Sequence, residues 1–175
     1  MSLLTQLVNL FFSQRRGEID FFMQHPVRVQ QQQLERLLTQ AGGTVFGREH
    51  GFDKIRTSEA YAAAVPVADY DSFSEYIGRT RTGEQNVLWP TEIKWFAKSS
   101  GTTSAKSKFI PVSDEGLSGC HLRGPMDVVC FFAGLYPKSG VFGGRTLTLG
   151  GSHRLESTGG RAQEGDLSAI LIENT

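Results

Sequence analysis

The sequence predicts a mixed α/β chain in which a helical N-terminal section leads into an incomplete mixed sheet. Apolar residues recur at helical spacing up to about residue 90. Beyond that, short apolar or alternating runs bounded by proline and polar residues take over, and most of the 20 glycines fall in this second half.

Taken in order, Leu3, Leu4, Leu7, Val8 and Phe11 place an amphipathic helix at the start. A second helix begins after His25, with Pro26 at its first position, where a missing N–H costs nothing. Gly42 lies just past its end, and Leu34, Leu37 and Leu38 form its buried stripe. "TSEAYAAAVP" reads as a short helix capped by Thr57 and stopped before Pro66. "DYDSFSEYIGR" reads as another that starts near Asp71, with Asp69 and Asp71 better explained as capping groups than as a catalytic carboxylate pair. "NVLWP", "IKWFAK" and "FIPVS" read as strands. Ser113, followed by Asp114 and Glu115 in a first turn, caps a longer helix toward Leu135, which Gly124-Pro125 should kink or interrupt. "GRTLTLGG" alternates like a strand, and "SHRLESTGGRAQEGD" reads as a polar connector. "LSAILIENT" is apolar again and has no obvious terminal cap, a first hint of an incomplete chain.

At 175 residues the chain has the length of one ordinary domain and needs no disulfide or structural metal to bury a core. Lys plus Arg and Asp plus Glu balance at 18 each, so no overall field marks a nucleic-acid or membrane-surface binder. The apolar opening is followed, not preceded, by its basic pair, lacks a small-residue cleavage site and is too short to cross a bilayer. A cytoplasmic protein is expected. Cys120 and Cys130 read as two buried or semi-buried free thiols in a reducing compartment. His25, His50, His121 and His153 fit neither H-E-x-x-H nor a zinc spacing with cysteine, and G-x-S-x-G is missing. Phe131, Phe132 and Tyr136 read as core packing, because no basic stripe accompanies them as a base-stacking platform requires.

The exceptional stretch is "FAKSSGTTSAKSKFIPVS", Phe96 to Ser113, rich in Ser and Thr and carrying three lysines. Small residues let successive backbone N–H groups approach an anion, hydroxyls add donors, and lysines add charge. The segment from Ser99 to Lys108 is thus a phosphate cradle in principle, with a solvated flexible hairpin as the alternative. It is not a Walker A loop, which needs Gly where Lys106 stands and a helix where "FIPVS" stands. Nor is it a dinucleotide fingerprint, since no G-x-G occurs.

"SSGTT" followed by Lys108 and "IP" resembles the phosphate-binding motif of adenylate-forming enzymes, in the variant found in the auxin-responsive promoter family of acyl acid-amido synthetases. "VPVADYDSFSEYIGRTRTGEQNVLWPTEIKWFAKSSGTT" is similar to that family's approach to the motif, and the likeness extends more loosely to the end of the chain. The resemblance implies the N-terminal part of the adenylate-forming fold. It also implies a ligase that uses ATP and Mg²⁺ to activate a small carboxylic acid as an acyl-adenylate and passes it to an amine or amino acid. Ser99, Ser100, Gly101, Thr102 and Thr103 carry over as the nucleotide-phosphate cradle and Lys108 as the motif's lysine. No catalytic residue and no protein metal ligand carries over.

Ala105 stands where many relatives have Gly, so the turn there must avoid a strongly positive φ or carry strain of roughly 1 kcal/mol. Lys106 is either added charge or a solvated lysine. The segment after Ser113 falls where the family builds part of its acyl-substrate pocket. Leu117 and His121, one helical turn apart, could face that pocket together; alternatively Leu117 packs in the core and His121 sits at an ordinary interface. The family's tyrosine-containing nucleotide motif, its ribose-handling acid and its mobile C-terminal domain are not recognisable. Residues 1–175 are therefore expected to be a partial N-terminal domain, inactive alone, whose partner is the missing C-terminal region of the same enzyme. Neither nucleic acid nor membrane is expected as a partner. A non-catalytic interaction module that retains the phosphate loop is the alternative.

Overall fold

A computed structural model describes residues 3–99, 107–136, 139, 147 and 150–174, with side chains from residue 12 onward. Its first half is helical, as the spacing predicts. Helix α1 spans Leu3–Gln24 and α2 spans Pro26–Ala41, with Pro26 in its first turn and Gly42 following its last residue. Leu38 is buried, whereas Leu37 is exposed, so the stripe is narrower than expected. Short helices α3 (Val45–Glu49) and α4 (Ser58–Ala64) each begin on a threonine. Thr44 Oγ1 accepts from the Gly47 amide at 2.9 Å, and Thr57 Oγ1 from the Ala60 amide at 3.1 Å. Each satisfies an amide that the first helical turn leaves unpaired. Asp69 does the same before a 3₁₀ turn at Asp71–Phe73, accepting from the Ser72 amide and hydroxyl, and helix α5 (Ser74–Arg81) follows directly.

The segment "NVLWP" is not a strand. Asn86 has φ 58°, and the carbonyls of Asn86 and Val87 accept from the Val45 and Phe46 amides that open α3. These groups cap a helix and are lost to a ladder, although Val87 is almost wholly buried.

Strands β1 (Trp95–Ser99) and β2 (Lys108–Val112) form an antiparallel pair in which Trp95 faces Val112 and Ser99 faces Lys108. Ser113 then caps α6 (Asp114–Gly116) through the Gly116 amide at 3.0 Å. A π turn at Leu117–His121 follows, closed by the Leu122 amide on the Leu117 carbonyl, and α7 runs from Arg123 to Leu135. The interruption thus comes before Gly124-Pro125. Placing it there puts Pro125 in the first turn of α7, where its missing N–H breaks no intrahelical bond.

The polar connector is in fact two short strands, β3 (Leu155–Ser157) and β4 (Gln163–Gly165), paired antiparallel, and "LSAILIE" is helix α8 (Leu167–Glu173). β4 lies parallel to β1, so the sheet is mixed and open, with order β2-β1-β4-β3. Apart from Leu147, which has no regular structure, and Gly150 and Gly151, "GRTLTLGG" lies outside the described residues.

Both faces of β1 are covered. On one, Phe96 packs with Ile77, Ile93 and Ala162; on the other, Ala97 packs with Val112, Leu117 and Ile170. A third cluster, Leu38, Ala41, Phe52 and Ile55, holds the helical section together, and Trp89 packs against both it and the Phe96 cluster. Cys130 is buried, and loss of hydration raises its thiol pKa. Cys120 is exposed, contrary to expectation, as are Phe131 and Phe132 on α7 and Tyr136 just after it. Among the described residues, no helix is long and apolar enough to cross a membrane.

Helix α1 is tied to α7 by charge. Arg15 donates through Nε and Nη2 to the two carboxylate oxygens of Asp127 at 2.6 and 2.8 Å, and Glu18 accepts from both Arg15 and Arg123. The Arg15 guanidinium holds the Asp127 carboxyl below its ordinary range. The stabilisation, about 1–2 kcal/mol for a partly buried paired carboxylate, is therefore complete above the ordinary carboxylate pKa and fades as pH falls through the lower folded value. Urea midpoints measured from pH 7 down to pH 2 should show this loss in the wild type, and a smaller loss over the same range in Asp127→Asn.

Two glycines separate close approach from helix propensity. A Cβ at Gly47 would lie 2.0 Å from the Ala41 carbonyl oxygen, whereas one at Gly78 meets nothing within 4 Å. Gly78→Ala should stabilise by about 0.5–1 kcal/mol, and Gly47→Ala should destabilise by about 2 kcal/mol or more through backbone displacement. Thermal melting of the two variants is the check, and equal shifts of the same sign would contradict the packing described.

Candidate functional site

Because β1 and β4 are parallel, their carboxyl ends, Ser99 and Gly165, emerge on the same side of the sheet. In open α/β sheets this is where ligands bind. A cleft of about 260 Å³ lies there. Ser99 and Ser107 supply hydroxyls, Lys98 and Arg154 supply positive charge, and Glu156, Glu164 and Asp166 supply carboxylates. Gly165 allows β3 to come close, since a Cβ on it would lie 2.6 Å from the Arg154 carbonyl oxygen.

All three carboxylates have partners, Glu156 through a 4.0 Å ion pair with Arg154. Glu164, only 8% exposed, accepts on Oε2 from Arg81 Nε at 2.7 Å and Nη2 at 2.6 Å. Asp166 Oδ2 accepts from the Ser152 amide at 2.9 Å. Arg81 also stacks its guanidinium over the Phe109 ring, 4.0 Å from the centroid. The Ser99 and Ser107 hydroxyls and Lys98 are the groups here that suit an anion, and three carboxylates share the same cleft. Among the described residues, no group of three or more His, Cys, Asp or Glu side chains is placed to hold a metal ion.

The structure brings Ser99 and Lys108 together as opposite residues of the β1–β2 pair, the two ends of the phosphate-like loop. Ser100, Gly101, Thr102, Thr103, Ala105 and Lys106 lie outside the described residues. Lys108 is exposed, and its ammonium rests 5.3 Å from the centre of the Tyr70 ring. Leu117 is in the core, 3% exposed, against Ala97, Val112 and Ile170, while His121 is half-buried at the end of the π turn. Sequence reasoning did not single out Arg81, Glu164, Arg154 or Tyr70. Arg81 and Glu164 are 83 positions apart, and nothing in either local pattern announces the pair. Tyr70 was absorbed into a helix start.

Residues 15–174 match the GH3 family N-terminal domain, so the chain belongs to the GH3 family, the auxin-responsive promoter family that its loop resembles. It is 27% identical over 118 residues to the jasmonoyl–L-amino acid synthetase JAR6 of Nicotiana attenuata, covering 66% of this chain and 20% of that protein. In Oryza sativa subsp. japonica it is 31% identical over 90 residues to the probable indole-3-acetic acid-amido synthetase GH3.2, covering 51% and 15%. It is also 28% identical over 100 residues to the jasmonoyl–L-amino acid synthetase GH3.5 of the same organism, covering 57% and 17%. The matched stretches thus span a fifth or less of these relatives' length.

Removing Arg81 would leave the nearly buried Glu164 without its partner. Arg81→Ala should cost about 2–3 kcal/mol in chemical denaturation. The double variant Arg81→Ala/Glu164→Gln should recover part of that loss. Strict additivity of the two single changes would show that the pair does not interact as described.

Proposed function

We propose that this chain supplies the N-terminal domain of an ATP-dependent acyl acid-amido synthetase. The reaction has two steps. A carboxylate of the acid substrate attacks the α-phosphorus of ATP, forming an acyl-adenylate and releasing pyrophosphate. An amine, in the family's pattern an amino acid, then attacks the acyl carbonyl, forming the amide and releasing AMP. The membership of residues 15–174 in the GH3 family, whose relatives named above are amido synthetases, supports the reaction class. The single structural observation that favours it is the pairing of Ser99 with Lys108 at the carboxyl end of β1, beside a cleft of hydroxyl and cationic side chains.

On this reading Ser99, Ser100, Gly101, Thr102 and Thr103 hold the β and γ phosphates, on which charge grows as pyrophosphate departs, and Lys108 offsets that charge. Mg²⁺ bound with the nucleotide would supply further neutralisation of the phosphate charge. Lys98 and Arg154 add field at the same end of the sheet. On the same reading His121, half-buried at the end of the π turn, would line the acid pocket, while Leu117 packs in the core. The rest of the site comes from the C-terminal region of the longer enzyme, and the whole works in the cytoplasm.

Lys108→Ala in the complete natural protein should lower ATP–pyrophosphate exchange, driven by its acid substrate, on the order of 10²-fold. A panel of small carboxylic acids in the wild-type exchange assay identifies that substrate. Exchange at the wild-type rate in Lys108→Ala would remove the lysine from the phosphate site, and no exchange with any acid would count against the reaction class.

A further inference from the structure

Among the described residues β2 is an edge strand, and edge strands leave every second residue's N–H and C=O without a ladder partner. Phe109 is such a residue. Its amide donates to the Tyr70 hydroxyl at 2.8 Å, and that hydroxyl donates in turn to the Phe109 carbonyl at 3.3 Å. One side-chain oxygen thus stands in for a missing strand and satisfies both groups. The ring of the same tyrosine lies beneath the Lys108 ammonium at 5.3 Å, within cation–π range. Tyr70 is itself anchored, packing against the cluster of Ile77, Ile93, Phe96 and Ala162. Phe109 is held from another side by Arg81 over its ring.

We infer that Tyr70 is a positioning residue for Lys108: it fixes the backbone at the residue after the lysine and seats the ammonium at the point where the loop re-enters the sheet. This rests on the phosphate role proposed for Lys108. The physical reason is pre-organisation. A lysine on a free edge strand must lose the freedom of its four-carbon chain when it meets phosphate, whereas one already seated loses less. Loss of the seat should therefore act through Lys108 and through nothing else in the site.

The test uses the complete natural protein and separates the seat from the reaction. In enzyme carrying ¹³Cε-labelled lysine, the Lys108 Cε–H resonance, assigned by its loss in Lys108→Arg, should be shifted upfield by the Tyr70 ring. Tyr70→Phe should keep that shift, because the ring remains, while the Phe109 amide exchanges with solvent about 10-fold faster or more, for want of its acceptor. Tyr70→Leu should lose both. If Tyr70→Leu leaves the Lys108 resonance where it was, the seat does not exist and the inference is overturned, whatever the activity does.

In ATP–pyrophosphate exchange, Tyr70→Leu should lower the rate about 10-fold. The same change in a Lys108→Ala background should have no further effect. Equal losses in both backgrounds would mean that Tyr70 acts only through general structure, overturning the positioning role while leaving the phosphate role intact. An unchanged rate in Lys108→Ala alone would overturn the phosphate role and the positioning role together, even with the resonance shift present. Tyr70→Phe, which keeps the packing, guards against loss of folding in Tyr70→Leu.

Discussion

The structure depends on one strand being paired along both edges. β1 bonds antiparallel to β2 and parallel to β4, and Phe96 at its second position has no exposed surface. Because side chains alternate across a strand, Phe96 and Ala97 commit the two faces of the sheet to two different cores. A slip of one residue would exchange those faces, so burial fixes the register of β1 and hence the position of the loop that follows it. The parallel partner reinforces this. A parallel pair cannot be closed by a tight turn, so the chain must travel through β2, α6, the π turn and α7 before β4 returns to β1. The carboxyl ends of β1 and β4 meet only because that excursion is completed.

The charged contacts tie the same region together. Arg81 reaches from the end of α5 to Glu164 on β4 and covers Phe109 on β2, so one guanidinium spans three elements around β1. Its partner is almost buried, and a buried carboxylate is tolerated only when paired. This pairing also changes the electrostatics of the cleft. With Glu164 neutralised by Arg81, the most buried carboxylate at this end of the sheet is not free to oppose an anion. A chain with no net charge can therefore present a local site suited to one.

The helical half was legible because its signals are local. Thr57 and Ser113 cap the helices they were expected to cap, and Pro26 opens the helix it was expected to open. β1 and β2 were legible because each combines apolar residues with clear boundaries. β3 and β4 were not, for a physical reason. Three-residue strands such as Leu155–Ser157 and Gln163–Gly165 carry too few side chains to show alternation, and β4 buries a glutamate whose partner lies 83 residues earlier. "NVLWP" failed in the opposite direction: its apolar content is real, since Val87 is buried, but its carbonyls are spent on α3. In the site, the loop was recognisable from its own residues. Tyr70, Arg81 and Arg154 were not, because their significance lies in contacts made across the sheet.

The loop's two ends are held by unequal means, and this bears on how it would work on the proposed reading. Ser99 ends a central strand whose Trp95–Ala97 stretch is paired on both sides, whereas Lys108 begins an edge strand held by β1 on one side and by Tyr70 and Arg81 on the other. A loop that must approach phosphate and later release pyrophosphate needs at least one end able to yield. The central strand cannot yield without exposing Phe96 and Ala97 to water. The outer side of the edge strand is held only by side chains, through two hydrogen bonds and one cation–π contact to Tyr70 and the Arg81 guanidinium over Phe109. On the proposed reading the adjustable end is therefore the one that carries Lys108, and the Tyr70 seat sets what it costs to adjust it.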